Sequence, residues 1–83
     1  MIPKDLTSQT DFAWRLRVLM EMADIRSGEL AEKCGMSIGQ VYKIRAGEKH
    51  AELATREKLL KAIERWKPGT LKMMRAAELN RIK

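Results

Sequence analysis

The sequence predicts an all-α protein of five short helices. Apolar residues recur every three or four positions along most of its 83 residues, which is the period of an amphipathic helix. No segment alternates apolar and polar residues as a half-buried strand would. Glycine and proline divide the helical pattern at Gly35, Gly47 and Pro68-Gly69. At 45% hydrophobic and 34% charged residues, the chain matches one small folded domain.

Helix 1 is expected to follow the polar run at residues 7–10, with Ser8 or Thr10 as its N-cap, and to end near Ala23. One side of it carries a stripe of core residues: Phe12, Leu16, Leu19, Met20 and Ala23. A second apolar stripe lies about 200° round the axis. It consists of Trp14, Val18 and Met22, continued by Ile25. Another part of the protein is therefore expected to cover this second side.

Helices 2 and 3 are expected to be short. The inward residues of helix 2 are Leu30, Ala31 and Cys34, and Gly35 ends it. Ser37 begins helix 3, where Gln40 three positions later completes a capping box. Val41 and Ile44 form the inward pair of this helix, and Gly47 stands where a left-handed C-terminal residue belongs.

Helix 4 carries Leu59, Leu60, Ile63 and Trp66 and ends at Lys67-Pro68-Gly69. Thr70 is predicted to cap a fifth helix from Leu71 to about Ile82. We expect this helix to pack on the Trp14 side of helix 1, either within one chain or exchanged across a homodimer. The predicted organisation is an N-terminal arm (1–10), a main domain (11–66) and a C-terminal helix (67–83).

Composition excludes several classes of protein. One cysteine, Cys34, allows no intramolecular disulfide, and with one histidine, His50, it cannot form a closed structural zinc site. No apolar run approaches the roughly 18 residues of a membrane-spanning helix, and the first residues lack a signal-peptide stretch. We therefore expect a cytoplasmic protein with no metal, no cofactor, no membrane partner and no small-molecule ligand.

Charge is distributed unevenly along the chain, whose formal net charge is +6. Between Met1 and Val41, five basic and six acidic residues give a balance of −1, whereas twelve basic and five acidic residues from Tyr42 to Lys83 give +7. A basic half is typical of a domain that binds a polyanion, because each neutralised phosphate releases counterions. A solvated surface that keeps the protein soluble is the alternative interpretation.

The segment from Ser27 to Gly47 has the pattern of a helix-turn-helix, in which the second helix enters the major groove of DNA. Its residues Glu29-Leu30-Ala31-Glu32-Lys33-Cys34-Gly35-Met36-Ser37, followed by Gln40 to Gly47, resemble the lambda-repressor-like, Cro/C1-type family of bacterial and phage regulators. The resemblance covers roughly residues 12–63. It implies a lambda-repressor-like helix-turn-helix bundle and a regulator that occupies an operator in double-stranded DNA, in a bacterial cell or phage-infected host.

The expected DNA contacts divide into two groups. Candidates for base contact are Ile38, Gly39, Gln40, Tyr42 and Lys43. Candidates for phosphate contact are Arg26, Ser27, Ser37, Arg45, Lys49 and His50. Four members have second interpretations: Gln40 as a member of the capping box, Lys43 as a phosphate contact, Tyr42 as a partly buried tyrosine and His50 as a solvated loop residue.

The chain departs from the family pattern at three places. Arg26-Ser27 stand where Thr or Ser followed by Gln is usual, so the phosphate contact of that Gln passes to Arg26. Met20 and Arg45 occupy the positions of a common Arg–Glu pair, and because both partners are missing together no buried charge is left unpaired. Ile38 and Gly39 replace polar residues at the front of the recognition helix.

Three other classes of function are alternatives to DNA binding. No arrangement of catalytic residues is present, so we expect no enzyme. A protein–protein interaction module, such as an adaptor or an antitoxin-like partner, is the main alternative because fold does not determine function. RNA binding is a third option that the lack of interleaved aromatic residues disfavours. Trp14 and Trp66 are expected to be anchors of the core or of a dimer, since neither falls in the basic, groove-facing segment.

Overall fold

A computed structural model describes the backbone of residues 5–82 and the side chains as far as residue 78. Its five helices are α1 (Phe12–Ala23), α2 (Ser27–Cys34), α3 (Ile38–Arg45), α4 (Leu53–Trp66) and α5 (Thr70–Ile82). No strand occurs within this range, which confirms the predicted all-α class. None of these helices is long and apolar enough to cross a membrane.

The core is one cluster to which all five helices contribute. The predicted stripe of α1 is buried throughout, from Phe12 to Ala23, and so are Val41 and Ile44 of α3. The second stripe of α1 is partly covered: Trp14, Val18 and Met22 pack against the core at intermediate exposure, and Ile25 is buried. The α1 helix contacts α3, α4 and α5, and α4 contacts α1, α2 and α5, so these two helices connect the rest of the bundle.

The α5 helix packs within the same chain, against α1 and α4. Its inward residues, Leu71 and Met74, are buried. The cap is not the predicted one, because the Thr70 hydroxyl donates to the Lys67 carbonyl at 2.6 Å. Glu64 of α4 caps α5 instead, its carboxylate accepting the backbone N–H of Gly69 at 2.7 Å and of Leu71 at 3.1 Å. Residues 79–82 continue the helix, and their side chains lie outside the described residues.

The segment before α1 is part of the folded unit. Leu6 is fully buried in the same cluster as Leu16 and Met74, so residues before α1 and residues of α5 share one core with the main domain. Neither Ser8 nor Thr10 caps α1. Its N-cap residue is Asp11, which has a left-handed backbone with φ 58° and no side-chain cap hydrogen bond.

The α2–α3 pair forms as predicted from local signals. Gly35 ends α2 at φ 66°, and the N–H of Met36 donates back to the Ala31 carbonyl at 2.9 Å. The capping box at the start of α3 is complete, since Gln40 N–H donates to Ser37 Oγ and Ser37 N–H donates to Gln40 Oε1, both at 3.2 Å. Gly47 follows α3 with φ 80°.

The α4 helix differs from expectation at its last residue. Leu59, Leu60 and Ile63 are buried, whereas Trp66 is 39% exposed and therefore does not anchor the core. The predicted apolar side of α4 is thus buried as far as Ile63 and becomes exposed at Trp66, in the last turn.

Candidate nucleic-acid interface

The outer side of α3 is exposed along its whole length. Ile38 is 48% and Tyr42 51% exposed, four residues apart on one face, and Gly39, Gln40 and Lys43 are exposed around them. Burial of Val41 and Ile44 on the opposite side fixes the rotation of the helix about its axis. All five residues predicted to contact bases therefore lie on one accessible surface, which we call the α3 face.

Two polar residues at the front of this face already have hydrogen-bond partners. The Gln40 side-chain oxygen accepts the Ser37 N–H, and the Ser37 hydroxyl accepts the Gln40 N–H. The Gln40 amide nitrogen and the Ser37 hydroxyl proton remain able to donate outward. Both predicted contacts therefore contribute first to the geometry of the α3 N-terminus.

A hydrogen bond joins Ser27, the first residue of α2, to Arg45, the last residue of α3. Ser27 is 4% exposed, and its hydroxyl accepts a hydrogen bond from Arg45 Nη1 at 3.0 Å. The Arg45 guanidinium also lies 5.9 Å from the centre of the Tyr42 ring. Ser27 was predicted to contact phosphate, but its buried hydroxyl instead orients Arg45, which is itself at intermediate exposure.

Arg17 was missed as a candidate. This exposed residue of α1 donates from Nη1 to the backbone carbonyl of Arg45 at 2.6 Å, so its charge sits at the C-terminal end of α3. Together with Arg26 and Arg45 it lines a concavity of about 360 Å³ that also includes Glu21 and Asp24. A contact between residues 28 positions apart leaves no local signal in the sequence.

The segment after α3 folds back on the end of the helix. The N–H groups of Glu48 and Lys49 both donate to the Lys43 carbonyl, at 2.9 and 3.3 Å. Lys49 and His50 are exposed there, beside a shallow pocket of about 180 Å³. These two predicted phosphate contacts therefore lie in the turn after α3. Arg26 lines the same concavity as Tyr42 of the α3 face, near the start of α2, where Glu29 accepts its backbone N–H at 2.9 Å.

The basic residues of the second half do not share one surface. Lys43, Arg45 and Lys49 belong to α3 and the turn after it, whereas four others lie on α4. Three of these four, Lys58, Lys61 and Arg65, line a separate groove with Lys33 of α2. The charge asymmetry of the sequence is therefore not a property of the α3 face alone.

Cys34 lies at the junction of α2 and α4 and is 6% exposed, with its thiol donating to the Lys58 carbonyl at 3.7 Å. Burial raises the pKa of the Cys34 thiol, and the nearby Lys58 charge lowers it to a smaller extent. A neutral, packed thiol is a poor nucleophile and a poor metal ligand. Among residues 5–78, no group of three or more His, Cys, Asp or Glu side chains could hold a metal ion.

Comparison with protein-family models, with curated protein sequences and with solved structures finds no match to this chain.

Proposed function

We propose that the protein is a sequence-specific double-stranded DNA-binding transcriptional regulator, of the kind by which bacterial and phage repressors occupy an operator. The observation that carries the proposal is the α3 face. A short helix, capped at its start and anchored by two buried residues, presents five exposed positions between flanking cations. In this proposal α2 and α3 act as a helix-turn-helix, and α3 enters the major groove.

The chemistry of the exposed side chains suits base edges. The Lys43 ammonium would donate to guanine O6 or N7, and the apolar surfaces of Ile38 and Tyr42 would meet thymine methyl groups. Gly39 has no Cβ, and a Cβ there would have no heavy atom closer than Ser37 Oγ at 4.0 Å. The backbone at that position is therefore open to close approach by a DNA strand.

Phosphate contacts are proposed for the donor side chains around the face. Arg26, Arg45, Lys49 and His50 remain in this role, and Arg17 joins them because it stands at the end of α3. Such contacts set the position and orientation of the protein on the duplex and carry no sequence information directly.

We also propose that the regulator binds as a homodimer. One eight-residue helix reads few base pairs, and two half-sites related by a two-fold axis would double the sequence that is read. Sedimentation at micromolar protein, alone and on a duplex, tests this proposal. A monomer that binds DNA one-to-one would contradict it.

Titration of duplex DNA at several salt concentrations tests DNA binding itself. A duplex recovered by selection from a random library should bind more tightly than a random one. The logarithm of affinity should fall with the logarithm of salt with a slope of about −5 to −9, for a dimer that makes about 6–10 phosphate contacts. A flat slope, or no binding to any duplex at low salt, would contradict the proposal.

One observation favours a second candidate function, a protein–protein interaction module. Ile38 and Tyr42 form a half-exposed apolar pair at helical spacing, and aromatic residues are enriched at protein interfaces. Failure to bind duplex DNA in the titration above would favour this alternative. So would a Tyr42→Ala variant that stays soluble but no longer self-associates.

A further inference from the structure

A second surface, away from the α3 face, combines positive charge with an open aromatic ring. It is a groove of about 600 Å³ between α2 and α4, which we call the α2–α4 groove. Its lining residues are Lys33, Lys58, Lys61, Ala62, Arg65 and Trp66. Four of the six are cationic and none is acidic.

The cations are aligned along one side of α4. Lys58, Lys61 and Arg65 are spaced by three and four residues, so they neighbour one another along about 10 Å of the helix axis. Neither ion pair of the described side chains involves them, since these pairs are Arg15–Glu78 and Arg75–Asp5. Like charges at this spacing destabilise a helix, so fold stability gives no reason for the arrangement.

Trp66 gives the groove an aromatic surface. Its side chain is 39% exposed, and the Lys33 ammonium lies 5.9 Å from the ring centre. The ring is therefore held beside the cations and still accessible. Trp66 lies outside the basic, groove-facing segment of α3, yet the packing of α2 on α4 places four cations beside it.

We propose that the α2–α4 groove binds single-stranded DNA, with its phosphates on the lysine and arginine side chains and one base stacked on Trp66. Proteins that bind single strands without sequence preference combine these two elements, a cationic groove that follows the backbone and an aromatic ring that any base can stack on.

The donor inventory favours a nucleic-acid strand over an acidic polypeptide. Every polar side chain that lines the groove is a donor, and none is an acceptor. A peptide meets such donors only through its acidic side chains, whereas a nucleic-acid strand offers a phosphate acceptor at every nucleotide and a base that can stack on Trp66. DNA suffices for both contacts, because no side-chain acceptor lines the groove to recognise the 2′-hydroxyl proton that distinguishes RNA.

The groove is open when α3 is occupied. On α2, Lys33 lies about 140° round the helix axis from Gly28. A Cβ at Gly28 would lie 3.4 Å from Ile38 Cδ1, so the side of α2 that carries Gly28 is the side that contacts α3. The side that carries Lys33 faces away from α3. The proposal for this groove therefore does not depend on duplex binding at the α3 face.

Fluorescence anisotropy of a labelled (dT)8 strand on the intact protein tests this site. Lys61→Ala should weaken binding severalfold and make the salt slope shallower by about 0.7, the value for one phosphate of a single strand. Trp66→Ala should weaken binding by about fivefold or more. In a Trp14→Phe background, where Trp66 is the one remaining tryptophan, (dT)8 should quench the fluorescence.

Matched variants distinguish binding in this groove from binding to cations elsewhere on the protein. Lys72→Ala, an exposed lysine of α5 that lies outside both the α3 face and the groove, should leave (dT)8 binding unchanged. Circular dichroism confirms that each variant is folded. If Lys72→Ala reduces binding as much as Lys61→Ala does, or if Lys61→Ala has no effect, the site lies elsewhere and the proposal fails.

Two competitors test the chemistry of the ligand. An octaglutamate peptide of similar charge should not displace (dT)8 at equal concentration. Displacement would show that the groove takes acidic polypeptides and would overturn the proposal. Tighter binding of (rU)8 than of (dT)8 would overturn the assignment to DNA.

Discussion

Arg15 Nε lies 2.8 Å from Glu78 Oε1 and joins the first helix to the last across 63 positions of sequence. Both side chains are largely buried, at 8% and 17% exposure. The same guanidinium donates to the Ser8 carbonyl at 3.2 Å and to the Thr10 carbonyl at 3.4 Å. One side chain thereby holds the N-terminal segment, α1 and α5 together.

Replacing Arg15 should be among the most destabilising changes in the chain. Arg15→Met keeps much of the volume but leaves Glu78 and the carbonyls of the N-terminal segment without their donor. Breaking a buried pair in this way typically costs about 3–5 kcal/mol of the free energy of unfolding. Urea denaturation followed by circular dichroism measures the loss.

The exposed ion pair of the same protein is the matched control. Arg75 Nε lies 3.5 Å from Asp5 Oδ2, with both side chains more than half exposed. Arg75→Ala should change stability by less than about 1 kcal/mol, because surface pairs contribute little. Equal effects of Arg15→Met and Arg75→Ala would show that the buried pair is not a stabilising connection.

The helical periodicity of α1 indicates the burial of Arg15. On the helical wheel, residue 15 falls between the two apolar stripes of α1, beside Met22 on one side and Leu19 on the other. Once both stripes are covered, the position between them must also be covered. The identity of its partner could not be predicted, since Glu78 is 63 residues away.

Features determined by neighbouring residues were predictable, and those determined by packing between distant elements were not. The Ser37–Gln40 capping box and the glycine at φ 66° depend on three or four adjacent residues. The burial of Ser27 depends on Arg45, and the exposure of Trp66 depends on where neighbouring helices end. Helical periodicity shows which residues lie on the same face of a helix. It does not show how much of that face a neighbouring helix covers.

The capping box predicts how Ser37 and Gln40 variants differ. Ser37→Ala removes the acceptor of the Gln40 N–H and should lower the free energy of unfolding by about 1 kcal/mol. Gln40→Glu keeps an oxygen for the Ser37 N–H and places a negative charge at a helix N-terminus, so stability should be retained. Thermal unfolding of the two variants checks the order.

Gln40→Glu also separates the two interpretations of this residue. The substitution removes the amide donor that would read a base. If Gln40 acts in capping alone, selection from a random duplex library should return the parental motif with uniformly lower affinity. A motif altered at one position would instead assign Gln40 to base contact.

The Glu64 cap of α5 should be worth more than a surface carboxylate. Glu64→Ala removes the acceptors of two backbone N–H groups and should lower the free energy of unfolding by about 1–2 kcal/mol. Glu57→Ala, on the same helix seven residues earlier, should stay within about 0.5 kcal/mol of the parent. Urea denaturation compares the two, and equal effects would show that the cap is not what holds α5.

The buried thiol of Cys34 makes a pH-dependent contribution to stability. Its pKa is raised in the folded protein by burial, so the folded state keeps the proton longer than the unfolded chain does. This contribution is fully present below the pKa of the unfolded thiol, about 8.5, and is lost as pH rises through the folded value. The free energy of unfolding should fall more steeply between pH 8 and 10 for the parent than for Cys34→Ala. Parallel curves for the two proteins would contradict the raised pKa.

Two lysines near the end of α3 provide the sharpest comparison for the proposed function. Lys43 lies on α3 itself, whereas Lys49 lies in the turn after it, with its backbone N–H on the Lys43 carbonyl at 3.3 Å. Both are exposed and carry the same charge, so any difference between them reflects position on the DNA rather than net charge.

Lys43→Ala should cost about 1–3 kcal/mol on the selected duplex and relax preference at one base pair, because the Lys43 ammonium would be lost from a guanine edge. Lys49→Ala should weaken all duplexes alike and reduce the steepness of the salt slope by about 1, the effect of one phosphate contact. Library selection and salt titration on both variants measure the two effects. If Lys43→Ala returned the parental motif with a shallower slope, Lys43 would be a backbone contact, and sequence preference would have to come from Ile38, Tyr42 or the shape of the duplex.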